Sequence, residues 1–276
     1  MPKQLFLRKR MQNKEMKTPI FLLILLLSLF VLRVHPGASY VIDGQINDWG
    51  VDLSTSGTDQ KGYLDTHLPS GGRDIDYVTE DNAGNIPGWQ LVGPGYTYNG
   101  NYFDAEAIYF DNDGYNAYIA IVQGLPPGGG TAPGNPWFNP GDIAIDVPGG
   151  GFYEYGISIA NGNLYTVSSW KNVYYSAYSS SNPWQIASGT AIGPVDFVYS
   201  FSQNTHYVLE AAVPLSYLGL STDHNSSITI HWTQECGNDS LTLNADVNSA
   251  PEPATMLLLG SGLIGLGGFM RKRFRK

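Results

Sequence analysis

Residues 105–122 read AEAIYFDNDGYNAYIAIV and carry the clearest secondary-structure signal in the chain. Two runs of alternating, β-branched and aromatic residues, 105–110 and 117–122, flank the sequence Asp111-Asn112-Asp113-Gly114. Such runs are typical of β-strands, and Asn, Asp and Gly are the residues that tight turns prefer. This stretch therefore predicts a β-hairpin.

Similar short runs recur on both sides of the hairpin, between clusters of Gly, Pro, Asn and Asp. They predict further strands at 142–147, 153–159, 164–170, 197–201, 207–213 and 228–233. Helix signals are scarce, apart from a short helical turn predicted at 214–218 with Pro at its start. Eight or more short strands with frequent turns favour an all-β fold, an antiparallel two-sheet sandwich.

The N-terminal end has the pattern of a targeting segment. A basic stretch precedes the apolar run FLLILLLSLFVL at 21–32, and small residues follow at 37–39. Twelve apolar residues are short for a membrane span and suit the core of a signal peptide. We expect residues 1–39 to be a cleaved signal peptide; the alternative is a signal anchor that stays uncut.

The C-terminal end, residues 249–276, has three parts in order. Pro251, Glu252 and Pro253 come first, then the apolar stretch 254–270, then a basic tail. Seventeen apolar residues reach the short limit of a transmembrane helix, and basic residues hold a tail in the cytoplasm.

This layout resembles the PEP-CTERM sorting signal of exopolysaccharide-producing Gram-negative bacteria. The resemblance implies recognition of Pro251, Glu252 and Pro253 by the membrane enzyme exosortase. It also implies a membrane-anchored intermediate, cleavage near the motif and release to the cell surface or extracellular matrix. The alternative is a plain C-terminal anchor with a chance Pro-Glu-Pro. On either interpretation the part between the two ends works outside the cytoplasm.

That part, residues 40–248, is strongly acidic. It carries 22 acidic against 3 basic residues, a net charge of −19, whereas the whole chain has −9. Nucleic-acid binding needs a basic footprint, so this class of partner is excluded. The many aromatic residues and the low proportion of charged residues predict one folded extracellular domain.

The opening of this domain, YVIDGQINDW at 40–49, looks like the start of family-9-type carbohydrate-binding modules and their DOMON-like relatives. Residues 105–122, 141–146 and 207–220 fit the same pattern loosely. The resemblance implies a two-sheet sandwich and carbohydrate binding. The chain departs from the family because a two-tryptophan sugar clamp cannot be placed.

The turn at Asp111 and Asp113 offers carboxylate oxygens at alternate positions, as calcium prefers. With Asp104 and Glu106 just upstream, these four residues form a candidate calcium site, the one cofactor that the sequence suggests. The alternative is an ordinary hairpin turn.

Trp89, Trp137 and Trp184 lie among Pro, Gly and Asn, so we expect them on loops. Exposed aromatic rings there can stack on sugars, which makes these three residues the candidate carbohydrate site. The alternative is that their rings fix long loops to the sandwich, whereas Trp49 and Trp232 are expected in the core.

The only cysteine, Cys236, predicts either pairing between molecules or a buried inert thiol. Motifs of metalloproteases, serine hydrolases and nucleotide-binding enzymes are not found in the sequence. The sequence therefore predicts a non-catalytic surface or matrix protein, sorted by exosortase, that associates with exopolysaccharide in a biofilm. The alternatives are a secreted glycan hydrolase and a purely structural biofilm protein.

Overall fold

The computed structural model describes most of the part between the two ends. The described residues are 40–53, 68–71, 74–79, 103, 105–131, 134–202, 206–221, 226–248 and 260–262. Residues 37–250 form one compact unit. Of the second unit, residues 1–36 and 251–276, only 260–262 are described, and they are helical.

Eleven β-strands build the compact unit. They are β1 (Asp76–Thr79), β2 (Ala105–Asn112), β3 (Asn116–Gln123), β4 (Ile143–Asp146), β5 (Tyr155–Ser158), β6 (Asn163–Lys171), β7 (Gln185–Pro194), β8 (Asp196–Phe201), β9 (Tyr207–Pro214), β10 (Ser226–Thr233) and β11 (Ser240–Val247). Sheet I has the order β1-β2-β3-β9-β8, and sheet II has the order β11-β10-β4-β5-β6-β7. All neighbouring strands run antiparallel. The predicted all-β sandwich of two antiparallel sheets is confirmed.

The predicted hairpin is the β2–β3 pair at the centre of sheet I. Phe110 lies opposite Ile119, and the register continues to Asn112 opposite Ala117. Strand β3 also pairs along its whole length with β9. Both faces of this hairpin are buried, because one faces the second sheet and the other is covered by the N-terminal part of the domain.

The main core lies between the two sheets. Alternate residues of β2, β3, β9, β10 and β11 point into it, as the two-residue period of a strand requires. Its fully buried members include Ile108, Phe110, Ile119, Ile121 and Leu209 from sheet I, and Ile143, Ile145, Ile230 and Trp232 from sheet II.

A second core covers the outer face of sheet I. The segment 40–53, here called the N-terminal strap, lays Tyr40, Ile46 and Trp49 against Tyr109 and the neighbouring strands. Trp49 is fully buried and stacks on Tyr40, with 3.9 Å between the ring centroids. The compact unit also contains short 3-10 helices at Asn47–Trp49, Ser176–Ser181 and Leu215–Leu218.

Three strands were not predicted from the sequence. Strand β1 has only four residues, and β7 is rich in Gly, Ala and Ser, which are poor strand formers. Strand β11 alternates buried and exposed residues, so its sequence SLTLNADV has the two-residue period that indicates a strand. The predicted helical turn after Pro214 is present as Leu215–Leu218.

Among the described residues, no helix is both long and apolar enough to cross a membrane. The expected transmembrane segment, 254–270, lies outside them except for the helical residues 260–262. The predicted signal peptide, 1–39, also lies outside the described residues.

Candidate functional site

The candidate residues from the sequence fall into two groups. Pro251, Glu252, Pro253, Trp89 and Asp104 lie outside the described residues. The others are described: Glu106, Asp111, Asp113, Trp137 and Trp184. The geometry of the second group decides which sites the sandwich can offer.

Asp113 holds the β2–β3 turn together. Its Oδ1 accepts hydrogen bonds from the backbone amides of Tyr115 (2.8 Å) and Asn116 (2.7 Å). Its Oδ2 accepts a hydrogen bond from the Tyr118 hydroxyl (2.8 Å). Burial, followed by this hydrogen bond, raises the pKa of Tyr118 to about 12, so the hydroxyl stays a donor at neutral pH.

Asp111 is also engaged within the protein. Its Oδ2 accepts a hydrogen bond from the Tyr40 hydroxyl (2.6 Å), and its Oδ1 accepts one from the Asn112 amide (2.7 Å). All four carboxylate oxygens of Asp111 and Asp113 therefore have internal donors, as in the ordinary hairpin turn of the alternative interpretation. A calcium ion would have to displace these donors.

The structure does not bring Glu106 to this turn. Five residues of strand separate Glu106 from Asp111, about 16 Å at about 3.3 Å per residue. Glu106 is instead buried 3.0 Å from Nε2 of His206. Among the described residues, no three His, Cys, Asp or Glu side chains are grouped to hold a metal ion. Calcium binding by the domain stays a prediction.

Trp184 does not lie where a sugar could stack on it. The residue is 5 % exposed, and its carbonyl accepts a hydrogen bond from the Asp142 amide (2.8 Å). The Lys171 ammonium lies 5.5 Å from the centroid of its ring. The ring fixes the start of β7 to the sandwich, which is the alternative role expected for a loop tryptophan.

Trp137, by contrast, presents its ring to solvent. The residue is 57 % exposed, and its Nε1 donates a hydrogen bond to the Gly128 carbonyl (3.1 Å). Gly129 has φ +74°, and a Cβ there would lie 2.4 Å from the Phe138 carbonyl oxygen and 2.8 Å from Trp137 Nε1. The loop therefore needs glycine at this position to hold the indole in a fixed orientation.

The residue after Trp137 anchors a cluster of rings at one end of the sandwich. Phe138 is buried and lies 5.6 Å from Tyr174 and 5.7 Å from Tyr175, measured between ring centroids. Tyr175 in turn lies 5.9 Å from Tyr178. Tyr174 is 59 % exposed. We call these five residues the aromatic patch: Trp137, Phe138, Tyr174, Tyr175 and Tyr178.

Amide and carboxylate groups border the aromatic patch. The Tyr175 hydroxyl donates to Asn135 Oδ1 (2.9 Å), and Asn139 Nδ2 donates to Glu235 Oε2 (2.7 Å). The Tyr174 amide donates to the Glu235 carbonyl (2.7 Å). Glu235 therefore joins its own loop to the loop of Asn139 and to the loop of Tyr174. Oriented rings beside amides and a carboxylate can stack on the CH faces of a sugar and bond its hydroxyls.

A second polar feature is a cleft of about 170 Å³ on the outer face of sheet II. Residues 147–151 form one wall, and Asp146, Ser227 and Thr229 form the other. Burial, followed by the nearby Glu154 carboxyl group, raises the pKa of Asp146. The described lining of the cleft carries one carboxyl group, that of Asp146.

Glu210 is an important residue that the sequence did not single out. Its Oε2 accepts hydrogen bonds from the amides of Asp43 (3.1 Å) and Gly44 (2.6 Å), and its Oε1 accepts one from Trp49 Nε1 (2.9 Å). Burial raises its pKa to about 7, although the hydrogen bonds from Trp49 and Gly44 oppose this change. Glu210 thus joins two amides and the indole of the opening sequence at 40–49 to sheet I.

Cys236 is a buried thiol, which is the second of the two possibilities expected from the sequence. It is 4 % exposed, and its thiol donates to Asn238 Oδ1 (2.5 Å). Burial raises the pKa of the thiol to about 12, which leaves very little thiolate at neutral pH. Cys236 is therefore a buried thiol of low reactivity.

Comparison with known proteins bears on the C-terminal end. Residues 249–273 match the family model of the PEP-CTERM protein-sorting motif. A search of curated proteins and a search of solved structures each found no match. The matched residues include Pro251, Glu252 and Pro253, the apolar stretch and the start of the basic tail. The chain therefore carries a PEP-CTERM sorting motif, which implies export, anchoring in a membrane and processing by exosortase before release at the cell surface.

Proposed function

We propose that this protein is a non-catalytic surface or matrix protein whose β-sandwich binds extracellular polysaccharide of a Gram-negative biofilm through the aromatic patch. Residues 1–39 act as the signal peptide, and the motif at 251–253 directs exosortase processing. The observation that carries the proposal is the exposed indole of Trp137, which is held by its hydrogen bond to the Gly128 carbonyl. The next residue, Phe138, contacts the exposed Tyr174.

The physical argument rests on preorganisation. The hydrogen bond of Trp137 to Gly128 and the ring contacts of Tyr174 hold both side chains in place before a ligand arrives. Binding then costs little conformational entropy, because few rotamers remain to be fixed. Neutral rings and amides also suit a polysaccharide, whereas a cationic partner would need a cluster of acidic groups.

The sandwich is proposed to be of the DOMON-like, family-9 carbohydrate-binding type. This type is supported by the role of the opening sequence, whose Asp43 and Gly44 amides and Trp49 indole all donate to Glu210. In this scheme the strap is structural, and the binding residues lie on loops at the sandwich end.

The test is retention of residues 37–250 on the exopolysaccharide of the source organism, with assay of the supernatant for released sugar. We expect saturable binding without sugar release. Trp137→Ala and Tyr174→Ala each weaken binding at least about fivefold, the factor for about 1 kcal/mol.

Tyr115→Ala is the matched control, because Tyr115 is 82 % exposed on the β2–β3 turn, outside the patch. Equal losses for all three variants would contradict a specific patch. Sugar release would favour the hydrolase alternative, and absence of any binding would favour the purely structural one.

A further inference from the structure

Strand β7 forms an edge of sheet II that no charge protects. Its residues 187–192 are all exposed, and the strand Gln185–Pro194 contains no charged residue. Among the described strands, β7 pairs with β6 on one side and ends the sheet on the other. Edge strands present unpaired backbone groups, and proteins usually blunt them with charges, bulges or Pro.

The other three edge strands of the two sheets each contain a charged residue. Strands β1, β8 and β11 carry Asp76, Asp196 and Asp246 respectively. In addition, the Asp246 amide donates to Asp76 Oδ2 (2.8 Å), so β1 and β11 are joined at their side of the sandwich. Of the four edge strands in the described part of the chain, β7 is therefore the one without a charged residue.

The charge around β7 also differs from that of the rest of the domain. Residues 155–195 contain no Asp or Glu and a single base, Lys171, although residues 40–248 hold 22 acids. Two copies that approach through most other surfaces repel each other over the Debye length, about 8 Å at physiological ionic strength. Approach through the β6–β7 hairpin avoids this repulsion, so the charge distribution favours a second copy of this chain there.

Bulges limit the part of β7 that can pair. The register with β6 shifts between Leu164 and Tyr165, between Val167 and Ser169, and between Ser169 and Trp170. The extra residues on β7 are Ala187 and Ile192, and the run between them, 188–191, is uninterrupted on β7. Within it, Thr190 lies opposite Thr166 of β6.

We propose that two copies of this chain pair antiparallel along 189–191 of β7, about a two-fold axis at Thr190. Residues that lie opposite each other in two paired strands point to the same face of the sheet. A two-fold axis perpendicular to the sheet satisfies this rule when Thr190 of one copy lies opposite Thr190 of the other. The row Thr166–Thr190 of one copy then continues into the same row of the other, and cross-strand Thr pairs are favourable. A pairing this short is weak in dilute solution, and display on a surface strengthens it by raising the local concentration.

Cysteine cross-linking of the full chain on cells of the source organism tests the pairing. Thr190→Cys places two thiols opposite each other across the axis, within the Cα separation that a disulfide needs. Cys236 does not interfere, because it is buried and its thiol is almost fully protonated. After oxidation with copper phenanthroline, we expect a reducible dimer of Thr190→Cys on a non-reducing gel.

Asn244→Cys is the matched control, since Asn244 is exposed on β11, the opposite edge strand of the same sheet. We expect at least about fivefold less dimer from it. Adding Ala191→Glu to Thr190→Cys places like charges beside the axis and lowers the dimer yield, whereas adding Asn244→Glu does not. A monomeric Thr190→Cys, equal yields from both cysteine positions, or an unchanged yield with Ala191→Glu would overturn the proposal. Polysaccharide binding by the patch can succeed or fail independently of these outcomes.

Discussion

At the scale of the residue, one buried carboxylate holds the N-terminal strap. Glu210 accepts three hydrogen bonds from the strap, two of them from adjacent amides and one from the Trp49 indole. These three donors favour the carboxylate, whereas burial favours the neutral carboxylic acid more strongly and raises the pKa. The stability of the strap and the protonation of Glu210 are therefore linked.

This linkage predicts a pH dependence of unfolding. The pKa of Glu210 rises from 4.5 to about 7 on folding, so the folded state binds the proton more tightly than the unfolded state. The resulting stabilisation is fully present below pH 4.5 and is lost as pH rises through about 7. We expect the contribution of Glu210 to the free energy of unfolding to fall by on the order of 2–3 kcal/mol between pH 5 and pH 8.

Urea denaturation of residues 37–250 at several pH values measures this change. Glu210→Gln cannot titrate, so the difference between wild type and variant isolates the contribution of Glu210 from that of Asp142, whose pKa burial also raises. A wild type and variant with parallel pH profiles would show that Glu210 keeps an ordinary pKa.

The residue scale also shows what the sequence could reveal about function. Trp137 and Trp184 stand in nearly the same local sequence, NPWF and NPWQ, yet one is exposed and the other is buried. The difference arises from tertiary contacts, since Trp184 packs where β7 begins and Trp137 lies over Gly129 on a loop. Local sequence cannot contain this information. The tyrosines of the patch were not singled out for the same reason.

At the scale of the element, the β2–β3 turn is predicted to depend on Asp113. Asp113→Ala removes the acceptor of two backbone amides and of the Tyr118 hydroxyl. We expect a loss of about 1–2 kcal/mol in the free energy of unfolding, because these hydrogen bonds are exposed or part-buried and a typical one contributes about 0.5–1.5 kcal/mol. Thermal unfolding in millimolar calcium and in chelator measures it, with Tyr115→Ala as the control of similar position.

The same melts separate the two interpretations of the turn. An ordinary hairpin turn loses the same stability in calcium and in chelator. A calcium site would instead raise the melting temperature of the wild type in calcium, and Asp113→Ala would abolish that rise, because a ligand that binds the folded state stabilises it.

The strands themselves differ in how far the sequence could predict them. The eight predicted strands follow period-two or β-branched runs, and each has a counterpart in the structure with small shifts at its ends. Strand β7 lacks such a run, because most of its residues are exposed. Burial of alternate residues is what produces a two-residue hydrophobic period in a strand. The place of β7 at a sheet edge follows from pairing with β6, which no local signal specifies.

At the scale of the whole molecule, the sandwich and the C-terminal motif have separate roles. The sandwich carries the acidic surface and the aromatic patch, and the motif matched at 249–273 decides where the sandwich is delivered. The charge split was visible in the sequence, because it depends only on counting residues along the chain. The aromatic patch, the proposed binding surface, depends on contacts between distant segments, so the sequence did not reveal it.

Removal of residues 251–276 is expected to abolish sorting. Without the motif and the apolar stretch, the exported sandwich has no C-terminal anchor, so it should appear in the periplasm or the medium. Immunoblots of cell fractions measure this outcome. A truncated protein that still reaches the surface in normal amounts would contradict a role of the C-terminal end in sorting.

The most direct test of the account changes the motif and leaves the apolar stretch intact. Pro251, Glu252 and Pro253 are replaced together by Ala, and the sandwich is followed by fractionation and by antibody labelling of intact cells. If exosortase reads this motif, the variant stays in the membrane fraction at its unprocessed length, while the wild type is shortened and appears at the surface. A variant that is processed and displayed like the wild type would contradict the account.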